Sequence, residues 1–110
     1  MGKFVKGDIV VIPFPYSDLT NSKRRPALVI AESSHNDLIL AQITSQGTRD
    51  SFSVTIANND FSHGSLPKIS NVRPNKLFTA DSGIILYKIA SLNSDKVIEI
   101  IDIIVKIIKG

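Results

Sequence analysis

The chain contains no cysteine and no tryptophan. Disulfides and thiolate metal sites are thereby excluded, and a cytoplasmic location is the simpler reading. Long hydrophobic runs are missing too. The apolar stretch from Ile9 is short, follows Asp8 and meets Pro13 and Pro15, so it does not read as a signal peptide. The apolar run at the C-terminus is broken by Glu99, Asp102 and Lys106, and is well short of the roughly 20 apolar residues that cross a membrane. The six glycines are scattered, which leaves no glycine-rich loop to cradle a phosphate. No Gly-x-Ser-x-Gly elbow is present. The carboxylates Asp8, Asp18, Asp37, Asp50 and Asp60 show no spacing suited to a metal, so no metal or other cofactor is expected. His35 and His63 each sit among turn formers, where a solvated side chain is favoured over an acid–base pair.

What remains is ordinary in bulk. At 110 residues, with 43% hydrophobic and 21% charged, the chain reads as one domain over 1–110. The net charge of +3 and pI of about 9.3 are compatible with a nucleic-acid partner. Strand signals recur at short intervals: residues 8–13, 25–31, 38–45 and 84–90, with shorter pieces near 71–73 and 77–80. Residues 52–57 alternate, placing Phe52, Val54 and Ile56 on one face. Residues 14–24 and 58–70 are rich in turn formers and read as loops. Many short strands predict a small, strongly bent antiparallel barrel whose closure removes exposed edges.

The last segment changes period. From residue 95 the polar positions are spaced by three and four, which predicts a helix capped by Asn93 or Ser94. Leu92 and Val97 suit a hydrophobic staple. Isoleucine is a mediocre helix former, so packing must hold this segment. Its apolar arc is wider than one small sheet needs to cover. A subunit interface accounts for the excess, and a deep one-domain core is the alternative.

The most informative segment is Arg24-Arg25-Pro26, followed at once by the apolar run Ala27-Leu28-Val29-Ile30-Ala31. The proline holds Arg25 in an extended conformation at a strand entrance. If strands 25–31 and 38–44 form a hairpin across 32–37, the simplest register pairs 31 with 38, 28 with 41, and Arg25 with Thr44. Arginine stays cationic and can grip a phosphate by two parallel hydrogen bonds. A threonine hydroxyl can donate to a phosphate oxygen or orient a nucleophile. Together they suit phosphoryl transfer to a nearby hydroxyl, although each is equally at home as a surface residue. Between positions 20 and 79 stand Lys23, Arg24, Arg25, Arg49, Lys68, Arg73 and Lys76 against Glu32, Asp37, Asp50 and Asp60, an excess equal to the net charge of +3. Phe14, Tyr16 and Phe78 lie near this set and could stack on bases. A solvated charge distribution explains the same pattern.

Lys6-Gly7-Asp8-Ile9-Val10, Arg25-Pro26-Ala27-Leu28-Val29-Ile30, Ala41-Gln42-Ile43-Thr44 and the stretch from Gly64 to Thr79 resemble the PemK/MazF family of toxin–antitoxin ribonucleases. The resemblance covers nearly the whole chain in order. It implies an SH3-like barrel with a C-terminal helix, the architecture shared with CcdB-like toxins. It also implies a homodimer that cuts single-stranded RNA without a metal and is silenced by a cognate antitoxin. By the same likeness, Arg25 and Thr44 become catalytic residues. Arg25 stabilises the transition state and takes part in proton transfer, and Thr44 orients the phosphate or the 2′-hydroxyl. Tyr16, Arg24, Ser45, Gln46 and Arg73 are expected as substrate contacts, the extra Arg24 being a second phosphate contact or simply an exposed cation. Where many family members carry a Gly-Ser-Glu-Gln-x-Gly type loop, this chain has Tyr16 to Arg24 without glycine, so base preference does not carry over. A non-catalytic gyrase poison and a nucleic-acid-binding module without cleavage are the alternatives. A gyrase poison would depend on exposed residues of the C-terminal helix, whereas the ending in Ile107 and Ile108 predicts burial.

Overall fold

The computed structural model describes residues 4–14, 23–45, 47 and 51–110. Seven strands build one antiparallel sheet: β1 (Asp8–Phe14), β2 (Lys23–Glu32), β3 (Asp37–Thr44), β4 (Val54–Ile56), β5 (Phe61–Gly64), β6 (Ser70–Asp81) and β7 (Tyr87–Leu92). Their order across the sheet is β4-β6-β3-β2-β1-β7-β5. One helix, α1 (Ser94–Lys109), closes the chain. The sheet is mainly β architecture curled into an open barrel. Contrary to full closure, its ends β4 and β5 are not paired with each other. Both edges are short, at three and four residues, which limits the template they offer to another chain.

The central strands are apolar in unbroken runs because both their faces are covered. Ile9, Leu28, Ile30, Ala41 and Ile43 face the cluster that receives Val97, Ile100 and Ile104 of α1. Val10, Ile12, Ala27, Val29, Leu38 and Leu40 face the other way, under Phe4, Phe78, Ala80 and Ile85. Successive side chains along a strand alternate between faces, so two-sided burial selects Val-Val-Ile and Leu-Val-Ile rather than an apolar–polar rhythm.

The β2–β3 hairpin has the expected register at Leu28↔Ala41, and Ala27 pairs with Gln42. Nearer the turn a bulge after Val29 shifts it, so Ala31 pairs with Ile39 rather than with residue 38. The two strand pieces expected near 71–73 and 77–80 are arms of one strand. Arg73 pairs with Gln42 and Leu77 with Ala41, so Pro74, Asn75 and Lys76 bulge between them. Proline has no N–H to give to a ladder. The stretch 58–70, expected as loop, contains a turn of 3₁₀ helix and β5. At Gly64, φ is +68° and an added Cβ would lie 2.5 Å from the Ile89 carbonyl oxygen, so glycine is required for β5 to dock on β7. The apolar stretch at 84–90 starts its strand late, at Tyr87, because Ile85 ends a 3₁₀ turn and covers the second cluster.

Asn93 is the N-cap of α1, as expected, but its side chain bonds no helical N–H. Its amide donates instead to the Asn59 carbonyl at 3.0 Å. Val97 and Leu92 are buried in the same cluster, consistent with the staple. The helix is only part-covered. Ile98 and Val105 are exposed, and Ile108 is 73% exposed, so the expected burial of the Ile107–Ile108 end does not hold for Ile108. Phe52 is exposed while Val54 and Ile56 are buried, so the alternation reaches only the last two.

Asp8 is buried at the mouth of β1. It accepts from the Val5 N–H at 2.9 Å and the Ser91 hydroxyl at 3.4 Å, and pairs with Lys88 at 3.2 Å. Replacing Asp8 by alanine strands the Val5 donor and is expected to cost about 1–3 kcal/mol in urea denaturation. By the same measurement Ile100→Ala should cost about 2–5 kcal/mol through an unfilled cavity.

Candidate functional site

Arg25 leaves the buried part of β2 at the end of the sheet. It pairs across β1 with Ile12. The alternation that buries Ala27 and Val29 with Ile12 carries Arg25 to that same face. On β3, Leu38 and Leu40 share this face, so Gln42 and Thr44 follow them by the same period. Arg25 and Thr44 therefore project from one face, as the hairpin argument requires. The hydrogen-bonded β2–β3 ladder ends at Ala27↔Gln42, two residues short of them. Arg25, Thr44, Arg24 and Ser45 all line one cavity of about 360 Å³.

The next strand adds a second cation. Thr44 pairs with Asn71 and Gln42 with Arg73, so Arg73 lies diagonal to Thr44 on the face that carries Arg25. Thr44 is thus bracketed by an arginine on each neighbouring strand. Both arginines are half-buried, with their Nε atoms enclosed. Asn71 is tied sideways, its side-chain oxygen accepting from the Thr55 hydroxyl at 2.9 Å. Phe78 and Gln42, with Ile12, line a small cavity of about 10 Å³ beside Arg25, about the room one water occupies.

Arg24 differs from Arg25 although the two are adjacent. It pairs with Pro13, is exposed, and by alternation turns to the opposite face. The remaining wall of the larger cavity comes from Lys68, Ser70 and Tyr87, over an apolar floor that includes Val11, Ile43 and Leu66. Sequence reasoning reaches Lys68 only as one of the cations and does not reach Tyr87 or Ser70 as site residues. The usable signal for Tyr87 is its place in a strand, where an aromatic next to a lysine must take the face opposite to it. Tyr16 and Gln46 lie outside the described residues, as does Arg49. His35 and His63 are both exposed and neither lines the cavity. Among the described residues no three His, Asp or Glu side chains gather as metal ligands, and no helix is long and apolar enough to cross a membrane.

A curled antiparallel sheet closed by one C-terminal helix defines a small open-barrel fold. Solved structures share this fold. An endoribonuclease from a mycobacterial species, in complex with its cognate antitoxin, superposes with TM-score 0.74 at 11% identity over 94% of this chain and 92% of that one. MazF from Deinococcus radiodurans gives TM-score 0.76 at 18% identity, covering 97% of each chain. The Mycobacterium tuberculosis toxin MazF-mt6 gives 0.64 at 16% identity over 88% and 93%. No curated protein matches the sequence. The family model of PemK-like, MazF-like toxins of type II toxin–antitoxin systems matches residues 5–108, and the chain belongs to that family.

Proposed function

We propose that this toxin endoribonuclease cuts single-stranded RNA, messenger RNA included, at the end of the sheet where Arg25, Thr44 and Arg73 converge. The observation that carries the reading is the placement of a threonine between two arginines on one sheet face. The substrate supplies its own nucleophile. The 2′-hydroxyl loses its proton and forms a bond to phosphorus, and the P–O5′ bond breaks as O5′ takes up a proton. The products are a 2′,3′-cyclic phosphate and a 5′-hydroxyl. Negative charge builds on the non-bridging oxygens in between, and fixed guanidinium donors stabilise it most. Arg25 is catalytic through this contact and takes part in the proton transfer to the leaving oxygen. Thr44 donates to a phosphate oxygen or holds the 2′-hydroxyl in line. Arg73 is the second cation, and Ser45 borders the path of the strand. The family likeness implies that no metal takes part, and the reaction is expected to persist in EDTA.

The partners follow from the same surfaces. The cationic groove suits the acidic segment of a cognate antitoxin, whose seating there would exclude RNA. The exposed Ile98, Val105 and Ile108 of α1, with the half-buried Ile101 between them, form a stripe spaced by three and four residues that suits a second copy of the chain. Toward the N-terminal end of the helix Lys96 is already paired with Asp60 and Glu99, which leaves Asp95 there against Lys106 and Lys109 at the other end, so an antiparallel mate brings opposite charges together. A homodimer acting in the cytoplasm, where messenger RNA is exposed, completes the reading. The gyrase-poison alternative would use these same exposed helix residues, and the arginine-framed threonine favours the nuclease.

Incubation of the purified protein with a long RNA in EDTA should give cleavage. Arg25→Ala should lower the rate by about 10²–10³-fold, and Thr44→Ala by roughly 10–100-fold through one charge-assisted hydrogen bond. Undiminished cutting by Arg25→Ala would remove the assignment. Light scattering should give twice the 12.0 kDa chain mass, and Ile98→Glu with Ile108→Glu should return it to the monomer value.

A further inference from the structure

The scissile phosphate accounts for one face of the sheet end, but the larger part of the cavity opens on the other. We infer that this groove seats the nucleotide adjoining the scissile phosphate, its base stacked on Tyr87 and its neighbouring phosphate held between Arg24 and Lys68. The inference rests on the ribonuclease reading and specifies how that site takes hold of its substrate.

The alternation of β2 sets the arrangement. Arg25 turns to the face of Thr44 and Arg73, and Arg24 to the opposite face, so the tip of β2 stands between two cationic positions. A chain of phosphodiesters crossing that tip meets a cation on each side. The groove beyond has an apolar floor of Val11, Ile43 and Leu66. Such a floor cannot satisfy phosphate oxygens, and it suits the flat face of a base.

Tyr87 supplies the wall. It is 47% exposed, and it pairs with Val11, which also lines the groove. The adjacent Lys88 is held elsewhere, on Asp8 at 3.2 Å. Lys68 is steadied from both sides of its segment. Leu66 is buried in the main cluster, and the buried Ser70 hydroxyl donates to the Lys68 carbonyl at 3.0 Å. The volume of about 360 Å³ lies within the range of small-ligand sites, roughly 300–1,000 Å³. An acidic peptide would use the two cations equally well, but it has no need of an exposed aromatic over an apolar floor. A base has that need, since stacking on aromatic side chains is a main source of single-strand affinity.

The test measures binding of a fluorescein-labelled, mixed-sequence single-stranded RNA to the full chain carrying Arg25→Ala, which keeps the probe intact. In that background Tyr87→Ala should weaken binding about tenfold or more, and Tyr87→Phe should restore it. Lys68→Ala should reduce the slope of log affinity against log salt by about 0.7, as expected for one lost phosphate contact on a single strand. In the cleaving protein Tyr87→Ala should raise KM more than it lowers kcat. Unchanged RNA affinity in Tyr87→Ala, or failure of phenylalanine to restore a loss, overturns the assignment. If the parent chain cuts no RNA while Tyr87-dependent binding persists, the ribonuclease reading falls and the nucleotide seat stands.

Discussion

Burial of β1, β2 and β3 on both faces is the constraint from which the rest follows. A strand apolar on both sides cannot lie at a surface, so one side takes α1 and the other takes Phe4, Phe78 and Ile85. The sheet must then curl to bring those covers into place. The first polar residues at the ends of these strands are the first that can meet solvent. Arg25 of β2 and Thr44 of β3 stand there because the cores on either side leave them no other exit. Rigidity follows as well. An arginine anchored next to a close-packed strand loses little further freedom when it grips a phosphate, which is what a preorganised electrostatic site requires.

Polar groups at the opposite end of β1 serve a different purpose. Asp8 is charged and buried, yet its partners are Val5, Ser91 and Lys88 rather than substrate-facing groups. It joins the start of the chain to β7, the strand that carries Tyr87 and precedes α1. A buried carboxylate is often a sign of chemistry, but here its contacts are those of a clasp between chain segments.

Much of this was legible in the sequence, for definite reasons. The central strands announce themselves because two-sided burial produces long β-branched runs that few other environments tolerate. The shared face of Arg25 and Thr44 was readable because each ends such a run, and a hairpin joins them. The register near the turn was not, since the bulge after Val29 arises from how the strands coil rather than from any residue type. The arms of β6 were visible as two pieces, but the bulge at Pro74 that unites them emerges only when both pair with β3. Ile85 reads as strand because it is apolar, although it covers a core from a turn. Tyr87 escaped notice because its facing depends on its pairing with Val11, a contact 76 positions away in the chain. The stripe on α1 was anticipated from its excess of isoleucine, but not the exposure of Ile108 at its end.

The apolar character of both faces of β2 has a further consequence. In a strand that is greasy on one side only, a slip of one residue exposes the core and is rejected at once. In β2 the slip that sets Arg24 in the place of Arg25 on the face of Thr44 would set Pro26 and Leu28 in the places of Ala27 and Val29, apolar for apolar. Hydrophobicity therefore does little to fix the phase of the site. That task falls to polar backbone contacts at the far end: the Gly7 N–H on the Val29 carbonyl at 2.9 Å and the tight turn in which Ser33 N–H reaches the Asp37 carbonyl at 2.9 Å. His35 holds that turn with a φ of 61°. A short turn without chemistry of its own thus helps decide which of two adjacent arginines shares the face of Thr44.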